Sequence, residues 1–343
     1  MSEAIVHRNL RVGIYGAGNW ARETHIPNLL RLEGVEIVAL CDVDERACRE
    51  TAGRFGIAHT YAEGHDMLRA EDLDVLYSCV PAFARTDVEA RAAQQGIHLF
   101  SEKPQATHMA VARAIDETVR SAGVMSTVGF RERYRPIFQE ARRLLADKEV
   151  VHVLFASIGF LPAFPPPGDE DSWKYQKDKA GGPAFDWGCH AVDYARFMTG
   201  LDITDAQAFY CHRPEYPGAL SSSFNFRLSN NGTMTMTFVC SMQHGSAGHE
   251  EPPFSAFYEG GRLDLYFYDR IEVDGQVVFR GEAFDPWFEQ DRLFIEAVRS
   301  GDDSRMLNDY HDGLFSLAPV LAGWESSRRN GERIRVHPFM QDD

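Results

Sequence analysis

Three groups of residues in this sequence have the types and spacing that chemistry needs. The first is Gly16-Ala17-Gly18-Asn19-Trp20-Ala21, a G-x-G-x-x-A run between an apolar strand-like segment and a helical one. Such a run works through bare backbone. Its first glycine permits a tight turn, its second lets a pyrophosphate approach the main chain, and the N–H groups opening the next helix face the anion. Gly16, Gly18, Asn19 and Trp20 are therefore dinucleotide-binding candidates. Asp42 ends the next strand-like run, somewhat beyond the usual spacing of about 20 residues. A carboxylate there accepts from the adenosine ribose hydroxyls and repels a 2'-phosphate, which favours NAD(H) over NADP(H). Two alternatives stay open: Asp42 or, equally well, Asp44 caps the following helix, and Arg46 accommodates a phosphate.

The second group, Ser101-Glu102-Lys103-Pro104, follows another strand-like run, and Pro104 disfavours helical geometry at Lys103. The third is Gly181-Gly182-Pro183-Ala184-Phe185-Asp186-Trp187-Gly188-Cys189-His190, continuing to Asp193. If the chain is helical from Asp186 onward, Asp186, His190 and Asp193 share one face at i, i+4 and i+7. Cys189 then projects off that face, so no metal site is expected from Asp186, Cys189 and His190.

These groups need elements to hold them. From Leu10 to Ser101 short β-rich runs (Arg11 to Tyr15, Val35 to Cys41, Val75 to Cys79, Ile97 to Phe100) alternate with helical patterns at Ala21 to Arg31, Glu45 to Phe55 and Thr86 to Gln95. A helix from Gln105 to Ser121 and a strand from Val124 to Val128 complete the series. That is the texture of βαβ units and a doubly wound parallel sheet, an α/β Rossmann domain over residues 1–129. From residue 130 to 343 the pattern changes. After a helix at Pro136 to Leu145, the runs Val150 to Gly159, Phe224 to Leu228, Thr233 to Cys240 and Leu263 to Tyr268 alternate as antiparallel strands do, with hairpin signals at Gly260-Gly261 and Asp274-Gly275. This half reads as an α+β domain with a large, mostly antiparallel sheet. Between Leu161 and Gly182 lies a long loop containing Trp173 and Tyr175.

Composition narrows the partners. A chain of 343 residues exceeds one ordinary core and suggests two domains. With 35 Lys and Arg against 51 Asp and Glu, a net charge of -16, nucleic acid and anionic membranes meet repulsion. The six cysteines form no C-x-x-C pair, the N-terminus lacks a signal-peptide core, and no long apolar span occurs, so a cytoplasmic location is expected.

Taken in order, Glu102-Lys103-Pro104 and the run from Gly181 to Asp193 resemble the E-K-P and G-G-G-x-x-x-D-x-G-x-H-x-x-D motifs of the Gfo/Idh/MocA oxidoreductases, the family of glucose-fructose oxidoreductase and inositol dehydrogenase. The likeness extends to His25-Ile26-Pro27 and to Gly129 through Tyr134. It departs where the family often reads T-P-N-x-x-H: here the chain has Val80-Pro81-Ala82-Phe83-Ala84-Arg85, without the asparagine or histidine. Arg131 replaces a common asparagine, and Pro183 a glycine. The resemblance implies a cofactor site that includes Cys79, Pro81, Glu102, Lys103 and Arg131. It implies a substrate site of Arg131, Asp186 and His190, with the loop carrying Trp173 and Tyr175 over the nicotinamide. It also implies a homodimer or homotetramer.

Oxidation of a secondary alcohol requires a base near neutral pKa, which assigns His190 as general acid/base. Lys103 stabilises developing alkoxide charge, and Asp186 orients the hydroxyl or His190. Aromatic side chains among lysines at Trp173 and Tyr175 suit a sugar or cyclic polyol ring. The competing expectation is a regulator of the same fold that binds dinucleotide without turnover. Retention of the lysine and histidine weighs against it.

Overall fold

The computed structural model describes residues 8–159, 179, 182–216, 218–241 and 252–341. Trp173 and Tyr175 lie outside the described residues. The chain falls into two compact units. The first comprises the described residues up to Ala106, then Val111–Arg131 and Asp285–Gly313; the second comprises Thr107–Ala110, Glu132–Phe284 and the chain from Leu314.

In the first unit, runs such as Val75-Leu76-Tyr77-Ser78 are buried at every position, as strands covered on both faces must be. Six strands, β1 (Leu10–Tyr15), β2 (Val35–Cys41), β3 (His59–Tyr61), β4 (Val75–Ser78), β5 (His98–Ser101) and β6 (Ser126–Val128), form one parallel sheet in the order β3-β2-β1-β4-β5-β6. The order reverses between β1 and β4, the place where doubly wound sheets open a crevice at their carboxyl ends. Val12, Ile14, Leu40, Tyr77 and Phe100 form the core, joined by Phe294 and Ile295 of the helix Pro286–Ser300. That helix, distant in sequence, thus belongs with the parallel sheet. The single helix expected over Ala21 to Arg31 is a π-helical turn, Ala21–His25, running into an α-helix, Ile26–Leu30. A π turn carries one extra residue per ladder bond and is often found at functional sites.

The second unit is built on nine strands: β7 (Val150–Ile158), β8 (Ile203–Cys211), β9 (Ser221–Leu228), β10 (Thr233–Val239), β11 (Phe254–Tyr258), β12 (Gly261–Tyr266), β13 (Arg270–Val273), β14 (Gln276–Arg280) and β15 (Ile334–Arg335). Their order is β14-β13-β12-β11-β7-β10-β9-β8-β15, and neighbours are antiparallel except β10 and β7, which pair in parallel. The Asp274-Gly275 signal is a true hairpin between β13 and β14, with φ of 50° and 79° at the two turn residues, both in the region a primed turn requires. Phe224, Phe226 and Leu228 of β9 alternate inward, while Ser223, Asn225 and Arg227 face outward and are exposed. Helices cover the inner face closely: a Cβ at Gly323 would stand 2.5 Å from the Phe224 ring of β9, and one at Gly188 would stand 3.4 Å from the Met236 side chain of β10.

Candidate active site

The glycine turn of the first unit has the two features a pyrophosphate needs. Gly16 sits at φ +97°, and a Cβ there would meet the backbone of Cys79 and Val80 at 2.7 Å. Both conformation and space therefore demand glycine. At Gly18 a Cβ would meet nothing within 4 Å, so a side chain would project into the open space beside the turn. The residues present fit a dinucleotide lying against bare backbone. Cys79, at the carboxyl end of β4, donates its N–H to the Tyr15 carbonyl at 2.7 Å, and Pro81 leads into the single turn Ala82–Ala84. Burial, and after it the charge of Glu102, pushes the Cys79 thiol far up, so it packs as a neutral group.

Asp42 accepts from the Ala17 N–H at 2.8 Å and the Asp44 N–H at 2.9 Å, tying the glycine turn to the end of β2. The cap of the next helix is Asp44, whose carboxylate accepts from Ala47 N–H at 3.0 Å. Arg46 pairs with Glu50 on the exposed side of that helix. Asn19 accepts from the Arg22 guanidinium.

Glu102 is the hub of the carboxyl edge. Its Oε1 accepts from Trp20 Nε1 at 2.9 Å and contacts His25 Nε2 at 3.1 Å, while Oε2 accepts the Lys103 N–H at 3.0 Å. His25 Nδ1 lies 2.9 Å from Asp291, which also accepts from Asn28 Nδ2 at 2.9 Å. His25 is 2% exposed. Burial pulls its pKa down, but the charge and hydrogen bond of Asp291, then those of Glu102, outweigh burial and raise it to about 10. Burial likewise pushes the Glu102 carboxyl up, and the hydrogen bond and charge of His25, with the charges of Lys103 and Arg131, bring it below its ordinary value. At neutral pH His25 is thus an imidazolium, held between Glu102 and Asp291. Beside it Arg131, 8% exposed, holds its guanidinium 4.8 Å from the Trp287 ring and 5.7 Å from the Trp20 ring. The Lys103-Pro104 peptide is cis.

In the second unit, Asp186 closes a short helix, Pro183–Asp186, and His190 belongs to the next one, Gly188–Thr199. The break at Trp187 corrects the expectation of one continuous helix from Asp186: the i, i+4, i+7 face joins His190 to Asp193 but not, by simple helical spacing, to Asp186. Asp193 is structural, accepting from Arg133 Nη2 at 2.6 Å and from Ser316 Oγ at 3.0 Å. His190 is buried between the rings of Trp187 and Tyr194, at 5.4 and 5.9 Å. Cys189 donates its thiol to the Asp186 carbonyl. Among the described residues no group of three or more His, Cys, Asp or Glu is arranged to hold a metal ion, and no helix is long and apolar enough to cross a membrane.

The sequence motifs contain His25 and Glu102 but give no hint of Asp291, Trp287 or Arg85, each of which the first unit brings to this edge. Arg85, where the related motif has histidine, is fully buried against Glu89, 3.0 Å away.

Known proteins agree with this reading. Residues 10–130 match the oxidoreductase family with an NAD-binding Rossmann fold, and residues 138–264 match the GFO/IDH/MocA C-terminal domain. A D-apiose dehydrogenase from Paraburkholderia graminis is 32% identical over 200 residues, 57% of this chain and 51% of that protein. A scyllo-inositol 2-dehydrogenase (NAD(+)) from Bacillus subtilis is 26% identical over 57% of this chain and 53% of its own length. The matched region thus spans about half the length of these relatives. Among solved structures, an oxidoreductase from Thermotoga maritima superposes with a TM-score of 0.82 at 20% identity, covering 97% of this chain and 100% of that one, which extends the shared fold beyond the half matched by those relatives. With a glycine turn shaped for a dinucleotide, a Glu-Lys-Pro edge and both domain families matched in order, the chain belongs to the GFO/IDH/MocA oxidoreductases.

Proposed function

We propose that this protein is a metal-independent NAD(P) dehydrogenase that interconverts a secondary alcohol and a ketone on a sugar, a cyclic polyol or a close derivative. The observation that carries the reading is the shared edge of the first unit's sheet: the open turn at Gly16–Gly18 after β1 and the fixed Glu102–Lys103 peptide after β5 stand at the carboxyl ends of strands in one parallel sheet. The first unit binds the dinucleotide through Gly16, Gly18, Asn19, Trp20, Asp42, Cys79, Pro81, Glu102, Lys103 and Arg131. The second supplies Asp186 and His190 to the substrate. When bound, the nicotinamide supplies a two-electron acceptor for the carbinol carbon.

The chain's residues handle the proton and the charge. His190 takes the hydroxyl proton in oxidation and returns it in reduction, the exchange an imidazole side chain is suited to. The Lys103 ammonium stabilises negative charge developing on the oxygen, and Asp186 orients the hydroxyl. Trp173 and Tyr175 offer ring faces to the substrate. NAD(H) is favoured over NADP(H), since Asp42 stands at the end of β2 and Arg46 is turned to Glu50. The relatives named above as D-apiose and scyllo-inositol dehydrogenases support the substrate class. The outer sheet face of the second unit, with Ile158 49% and Phe209 53% exposed, suits a second copy of the chain, as the proposed homodimer or homotetramer needs.

The test is turnover of NAD+ and NADP+ by the pure protein against a panel of aldoses, anhydrosugars and inositols, read by absorbance of the reduced cofactor. Oxidation of at least one ring substrate is expected. Turnover confined to acyclic or lipid alcohols, or cofactor binding with no turnover on any alcohol, would overturn the reading, the latter in favour of a non-catalytic dinucleotide sensor.

A further inference from the structure

The Glu102–Lys103 peptide is held at both of its polar ends. Its N–H donates to Glu102 Oε2 at 3.0 Å, and its carbonyl accepts from Arg85 Nη2. The same guanidinium donates through Nη1 to Ser78 Oγ at 3.0 Å, to Ser101 Oγ at 2.8 Å and to Glu89 Oε1 at 3.0 Å. Ser78 is the last residue of β4 and Ser101 the last of β5. One side chain therefore ties two strand ends and the following peptide into a single rigid piece, from which Lys103 projects.

Stability alone does not account for this arrangement. The side chains of Arg85 and Glu89 are wholly buried, so both charges have lost their hydration. Among the described residues, Arg85 Nε and Glu89 Oε2 nevertheless have no hydrogen-bond partner. An imperfectly satisfied buried pair is a poor stabiliser, and well-packed apolar residues of similar volume often replace such a pair without loss. What the guanidinium supplies that a neutral group does not is a planar fork of donors, spanning two hydroxyls and a carbonyl at once. We infer that Arg85 is a positioning residue for the proposed reaction: it fixes the orientation of the Glu102–Lys103 peptide, and through it the placement of the Lys103 ammonium. This rests on the reading of Lys103 given above.

Three variants separate positioning from folding. Glu89→Gln keeps the Arg85 bond to the Glu102 carbonyl but leaves a buried unpaired cation, so it should lower the melting temperature while kcat stays within about two-fold of wild type. Arg85→Gln with Glu89→Gln removes both charges. It should melt above Glu89→Gln, bind NAD+ with a Kd within a few-fold of wild type, and lose about 10- to 100-fold in kcat, the range that a misplacement near 1 Å produces. Amide exchange at Lys103 should quicken in this double variant and not in Glu89→Gln, a readout that needs no substrate. Arg85→Lys, with one ammonium in place of the fork, should restore only part of kcat in the Glu89 wild-type background. A merely structural role would make activity follow melting temperature, the reverse of the order expected here. The inference is overturned if the double variant has wild-type kcat and unchanged Lys103 exchange, or if kcat tracks melting temperature across the set. Lys103→Met is the companion measurement: if it turns over as wild type does, the role of Lys103 itself is wrong, a failure distinct from that of Arg85.

Discussion

The buried histidine makes a prediction about stability that needs no substrate. With its pKa raised from 6.5 to about 10, His25 keeps a proton in the folded state that it loses in the unfolded one. The folded form therefore binds more protons throughout that interval, and stability must fall as pH rises across it. The contribution is complete below pH 6.5 and gone above the folded pKa of about 10. At about 1.36 kcal/mol per pKa unit the full effect of the His25 shift amounts to about 5 kcal/mol. The perturbation is His25→Gln with Asp291→Asn, which removes one charge of each sign and leaves Glu102 its bonds to Trp20 and Lys103. Denaturant unfolding, followed by the fluorescence of Trp20 and Trp287 beside the cluster, should show wild type losing several kcal/mol between pH 6.5 and 10 and the double variant changing much less. The difference between the two curves isolates the cluster from other groups that titrate in the same range. A difference that stays constant with pH would mean that His25 is neutral when folded, and the ionic reading of Glu102–His25–Asp291 would be refuted.

The two glycines of the turn should separate stability from binding. Gly16→Ala, facing backbone at 2.7 Å and strained at φ +97°, should lower the melting temperature markedly, whereas Gly18→Ala should leave it nearly unchanged and weaken NAD+ binding at least ten-fold by calorimetry. Wild type is expected to show a higher kcat/KM with NAD+ than with NADP+, and Asp42→Ala to narrow that preference; a native preference for NADP+ would shift the weight to Arg46. Lys103→Met and His190→Ala should each lower turnover by about 10²- to 10⁴-fold while still binding cofactor. Exhaustive chelation should leave activity intact, and its loss with recovery on adding a divalent ion would contradict the metal-free mechanism.

What the sequence revealed and what it hid follow from the range of the interactions involved. Five of the six strands of the parallel sheet were legible because each is an apolar run bounded by polar turns, and the Asp274-Gly275 hairpin because two adjacent residues carry the whole turn. β3 and β15 escaped notice because three- and two-residue strands are too short to show a period, and β3 is largely exposed. The parallel pairing of β10 with β7 was hidden for a different reason: alternation records which face of a strand is buried, not the direction of its neighbour. At the site the same division holds. Gly16, Gly18 and the Glu-Lys-Pro run act through local backbone and can be read from adjacent letters. The π turn at Ala21–His25 has no such mark, since its residues are ordinary helix formers, yet it carries the histidine that meets Asp291. That contact joins positions 266 apart, and the bond from Arg85 to the Glu102 carbonyl involves a backbone atom that every residue possesses. A motif names the side chains that do chemistry, but the groups that aim them act largely on main-chain atoms and across long separations, where residue type alone carries no signal. Arg85 illustrates the point: in the sequence it is only the absence of a family histidine, and in the fold it is the donor that orients the lysine's peptide.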